Sequence, residues 1–203
     1  MYSAGILMVG AGGAAMFEKA LPVASFMESQ GYQVPFLEPV GPDQKTIENK
    51  LISWAEKMDL IITLGGVSLK PQDVMPEATE AVCQRMIPGI AEAMRTNCYA
   101  ITPRAMLSRG TAGICNQTII LNLPGEAQAA KENLAVVLPA LSHALDMLQY
   151  RHKSFLSGHP ASEVRSMEKE RQPDTSWECR DPKPPVIQSG HMENTRHYEN
   201  PIE

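Results

Sequence analysis

A chain of 203 residues with 43% hydrophobic and only 5% aromatic side chains can bury one domain core, built from Leu, Ile, Val, Ala and Met. Its formal net charge of −5 excludes a general nucleic-acid binder, whose affinity comes largely from neutralising phosphates. No apolar run approaches the ~20 residues that span a bilayer, so a membrane-spanning helix is excluded as well.

The opening MYSAGILMVG has no basic segment ahead of its apolar stretch, so residues 5–9 are expected to form a first strand rather than a signal peptide. A glycine-rich turn, Gly10 to Gly13, follows. Apolar residues recur at helical spacing over 22–30, with Pro22 in the first turn and Gly31 as the C-terminal cap. Residues 32–37 read as extended, and Pro35 marks an edge or a strand end. Asp43 precedes a second helix whose apolar face is Ile47, Leu51, Ile52 and Trp54–Ala55. Residues 59–64, DLIITL, form a continuous apolar strand of the kind buried on both faces, ending in Gly65-Gly66.

Helices are then expected over 76–84 and 88–95, and strands at Ile114 and over 118–121 around the Asn116-Gln117 turn. Residues 126–149 read as one or two helices, interrupted at Pro139. Helices alternating with apolar strands predict a three-layer α/β/α domain over 1–149 with a mainly parallel central sheet. Ligands of such sheets bind at the carboxyl ends of the strands, so the loops after Val9, Leu64 and Leu121 are where chemistry is expected. Residues 150–203 are rich in proline and mixed charge and poor in aliphatics, the composition of a disordered polar tail. Cys83, Cys98, Cys115 and Cys179 form no C-x-x-C pair. A structural zinc site is therefore not expected, and a reducing, cytoplasmic compartment is.

Three segments read together carry a resemblance: DLIITLGGVSLKPQDVMPEAT at 59–79, IPGIAEAMR at 87–95 running on to TPRAMLSRGTAGI at 102–114, and TIILNLPGEAQAAKENL at 118–134. In order and spacing they resemble the molybdopterin adenylyltransferase family, the type of domain that gephyrin carries as its G domain. The similarity covers residues 4–149. It implies a molybdopterin-binding-domain-like fold and a reaction in which the terminal phosphate of molybdopterin attacks the α-phosphorus of Mg-ATP, releasing pyrophosphate. It also implies a homo-trimer, working beside a partner protein that inserts molybdate.

Two polyanions must meet in such a site. That requires backbone N–H groups unobstructed by side chains, carboxylates for Mg2+, and donors for pterin and phosphate. The resemblance assigns Gly65, Gly66 and Ser68 to substrate binding, with Ser108 from the Leu-Ser-Arg segment and Asn122, Pro124 and Gly125 from Asn-Leu-Pro-Gly. It assigns Asp43 and Asp73 to catalysis as Mg2+ ligands. The residues themselves leave alternatives open: Gly65-Gly66 also suits a plain tight turn, and Asp43 also suits a helix N-cap.

The sequence departs from the family pattern at several points. Ala20 and Leu21 stand where the family has a ligand-holding serine and glycine. Val67 and Met75 replace threonines, and Gln72 replaces the arginine before the aspartate, which removes a cation from a polyphosphate site. Two other functions compete with adenylyl transfer. One is a non-catalytic pterin- or nucleotide-binding module of the same fold. The other is a dinucleotide-binding oxidoreductase, suggested by G-x-G-x-x-A at Gly10 to Ala15, for which Glu38 lies too far along as the ribose acid.

Overall fold

Strands whose side chains alternate between two apolar faces form the centre of the molecule. The computed structural model describes residues 1–10 and 13–156, with 150–156 as helical backbone alone. In it β1 (Ser3–Val9), β3 (Leu60–Leu64) and β6 (Thr118–Leu123) lie side by side and parallel. β2 (Gln33–Val40) pairs in parallel with β1 at one edge, where Pro35 costs no ladder bond to a missing neighbour. β5 (Ala112–Cys115) and the short β4 (Arg85–Met86) continue the other side antiparallel, giving the order β2-β1-β3-β6-β5-β4.

Successive residues of one strand feed opposite layers. Ile6, Met8, Leu60, Ile62, Ile119, Leu121 and Leu123 join one buried cluster with α1 (Ala14–Ser29), α4 (Pro88–Tyr99) and α5 (Ala127–Leu156). Leu7, Ile61 and Ile120 point the other way, into a second cluster with α2 (Gln44–Ala55) and α3 (Met75–Val82). The expected three-layer α/β/α architecture with a mainly parallel sheet is the one that forms.

Two proline expectations need correction. Pro22 lies inside α1, which starts at Ala14, and Pro139 lies inside α5, which runs unbroken. Both prolines are exposed, as are Glu18 and Ala135, whose carbonyls lose their helical partner. Water can satisfy those carbonyls, so the helices continue. Helix α5 also passes the expected boundary at residue 149 and reaches Leu156. The expected tail beyond it lies outside the described residues.

Gly5 in β1 lets a helix approach the sheet. A β-carbon there would lie 2.7 Å and 2.8 Å from two ring atoms of Trp54. That ring is buried, stacks obliquely on Phe36 at 5.7 Å and has the Lys50 ammonium 5.2 Å from its centre, so it has little room to swing away. Gly5→Ala is expected to destabilise the domain by about 1–3 kcal/mol in a denaturant melt. An unchanged midpoint would show that the ring yields freely.

Candidate functional site

Strand β3 runs out into Gly65 and Gly66, whose φ angles of 91° and 71° lie in the left-handed region. The Gly65 N–H donates to the Leu123 carbonyl at 3.0 Å, and a β-carbon on Gly125 would lie 3.3 Å from the Gly65 Cα. The loops after β3 and β6 therefore meet backbone to backbone.

The loop from Val67 to Asp73 folds on its own polar groups. The Ser68 N–H donates to Asp73 Oδ2 at 3.0 Å, and the Lys70 N–H donates to Ser68 Oγ at 3.2 Å. Arg109 clamps it from outside. Its backbone N–H donates to the Val67 carbonyl at 2.9 Å and its Nε to the Ser68 carbonyl at 2.8 Å. Nη2 donates to the Asp73 carbonyl, and Nη1 pairs with the Glu77 carboxylate. The bond from Arg109 holds the Glu77 carboxyl below the usual carboxylate range, against an opposing push from burial.

Asn122 is 1% exposed and faces Thr63 across the β3–β6 ladder. Its amide donates to Thr63 Oγ1 at 3.1 Å and Thr79 Oγ1 at 2.9 Å. The side chain thus joins β6, β3 and α3, and its part in the site is to fix the strand end. Arg95 on α4 donates Nη1 to the Gly110 carbonyl at 3.0 Å.

These loops wall a cavity of about 980 Å³ at the carboxyl ends of β3 and β6. Gly65, Gly66, Ser68, Asp73, Ser108, Asn122, Pro124 and Gly125 all line it. Asp43 does not. It is the N-cap of α2, accepting from the Thr46 N–H at 2.8 Å and the Thr46 hydroxyl at 2.7 Å. The hydroxyl bond first, and the backbone bond second, hold its carboxyl below the usual range. The glycine-rich turn after β1 contributes no described residue to the cavity lining.

The departures from the family pattern fall in different places. Ala20 is fully buried inside α1 and Leu21 is 55% exposed, and neither lines the cavity. Val67 and Met75 are buried in the cluster under α2 and α3, giving the glycine loop an apolar floor. Gln72 is exposed and outside the cavity lining.

Sequence reasoning raised Arg95 of α4 only as a possible partner of Glu92 and missed the rest of the far wall, formed by Met94 and Cys98 of α4, the 3-10 turn Pro103–Leu107, and Glu132 and Asn133 of α5. Only the packing of α4 on α5 brings them there. Burial first, and the Glu132 charge second, push the Cys98 thiol up, so it remains protonated at neutral pH and is a poor nucleophile. Among the described residues no three His, Cys, Asp or Glu side chains gather to hold a metal by themselves. Asp73 alone suits an ion whose other ligands are phosphates and water, the usual manner of Mg2+.

A profile of the family described as "Probable molybdopterin binding domain" matches residues 19–143. Gephyrin of Dictyostelium discoideum is 43% identical over 131 residues, 64% of this chain and 18% of that protein. A molybdopterin adenylyltransferase of Helicobacter pylori is 40% identical over 115 residues, 56% of this chain and 65% of that protein. The chain thus spans less than two thirds of the length of either relative. Among solved structures, the molybdopterin biosynthesis enzyme MoaB of Thermus thermophilus is 38% identical with a TM-score of 0.66, covering 73% of this chain and 96% of that one.

Proposed function

This chain belongs to the family of probable molybdopterin binding domains, and from that premise we propose that it adenylylates molybdopterin with Mg-ATP in molybdenum cofactor biosynthesis. One observation carries the reading. The cavity joins a glycine loop, the N-terminal end of the long helix α5 and the carboxylate of Asp73. Glycines let a ligand approach the backbone closely, and a helix N-terminus favours phosphate oxygens. A magnesium ion accompanying ATP would be held at Asp73 and would neutralise charge on the phosphates.

In the proposed step an oxygen of the molybdopterin phosphate forms a bond to the α-phosphorus of ATP. The bond from that phosphorus to the bridging oxygen breaks, and pyrophosphate leaves with the electron pair. The residues of the cavity bind and align the two phosphates, which is where the rate gain of such a transfer arises. Asp43 caps α2 outside the cavity lining, so the magnesium role rests on Asp73. Assembly as a homo-trimer, a molybdate-inserting partner and a cytoplasmic location belong to the same reading.

Incubating the protein with molybdopterin and Mg-ATP is expected to yield adenylylated molybdopterin and pyrophosphate in equal amounts. The exposed position of Gln72, outside the cavity lining, favours a second reading, binding without turnover. Molybdopterin binding with no adenylylated product would establish it in place of the first.

A further inference from the structure

Ionisable side chains lining the cavity include Lys70, Arg95 and Arg104 on one side of the charge balance and Asp73, Glu126 and Glu132 on the other. A polyanion entering such a balanced site gains only from cations free to turn toward it. Arg95 is committed to the Ser108 and Gly110 carbonyls, and Arg109, just outside, to Ser68, Asp73 and Glu77. Lys70 and Arg104 differ. Each donates its backbone N–H, to Ser68 Oγ and Thr102 Oγ1 respectively, while among the described residues neither side-chain cation has a hydrogen-bond or ion-pair partner. Both are exposed at the cavity wall.

We infer that Lys70 and Arg104 grip the polyphosphate of the nucleotide substrate. Lys70 acts as a mobile point charge from the loop that carries Asp73, and Arg104 as a planar fork from the 3-10 turn. The cation absent at Gln72 is thereby supplied two residues earlier on the same loop. This assignment rests on the nucleotide reading above.

The test is calorimetric titration of the full chain with Mg-ATP and, separately, with adenosine, which has no phosphates. Lys70→Ala and Arg104→Ala are each expected to weaken Mg-ATP binding about tenfold, and the double variant about 100-fold. Adenosine binding should stay unchanged, and Lys70→Arg should keep most of the affinity. The salt dependence of Mg-ATP binding should flatten in the double variant. Equal Mg-ATP binding by wild type and both alanine variants would overturn the inference and leave the nucleotide reading intact. An equal loss of adenosine affinity would also overturn it, because the residues would then act through structure. A wild type that binds neither compound would remove the nucleotide reading itself.

Discussion

Asp73→Asn is expected to lower turnover at least about 100-fold, the scale seen when one preorganised electrostatic group is lost. The substitution is informative because it separates the loop contact of Asp73 from the magnesium role proposed for it. Its Oδ2 accepts the Ser68 N–H at 3.0 Å and so helps shape the loop. The amide oxygen of asparagine can accept the same bond, while the negative charge disappears. Loop geometry, thermal stability and molybdopterin affinity should therefore stay near wild type, and the loss should fall on turnover. Asp43→Asn provides the contrast. It keeps the cap on α2, and its turnover is expected to remain within a few-fold of wild type. Equal rates for Asp73→Asn and an active wild type would remove Asp73 from the mechanism.

Arg109→Met is expected to cost about 100-fold in turnover, because displacing reacting groups by about 1 Å can cost that much. The guanidinium holds the carbonyls of Ser68 and Asp73 at once and is fixed by Glu77. Methionine fills similar space and makes none of these bonds, so the Asp73 loop loses its outer support. A stability loss of about 1–2 kcal/mol should accompany it, and rates measured well below the melting midpoint separate the two effects. Arg109→Lys should fall between, since one ammonium cannot replace a fork. The pH dependence has a definite sign. Arg109 lowers the folded-state pKa of Glu77, so the stabilisation is present above the ordinary carboxylate range and is lost as pH falls through the folded value. In Arg109→Met that acid-side loss should shrink. Unchanged turnover in Arg109→Met would show that the loop holds its shape without the clamp.

The layered fold and most of the strand-end loops around the cavity were legible in the order of residues. Runs such as LIITL at 60–64 and TIILNL at 118–123 carry aliphatic side chains toward both faces of the sheet, which suits a sheet covered on both sides. Glycines after such strands mark where backbones must approach closely, and Gly65 and Gly125 do so. Other features took their meaning from packing. Whether Pro22 and Pro139 break their helices depends on which face each occupies, and that face is set by packing on the sheet. Asp43 is a good cap and a good magnesium ligand by composition alike; the fold shows it capping α2 and places it outside the cavity lining. Arg109 is joined to its partners across 32 to 41 residues of sequence, so no local pattern identifies it as a clamp. Lys70 and Arg104 stand out only once Arg95 and Arg109 are seen to be paired, because availability is a property of the folded surroundings and not of residue type.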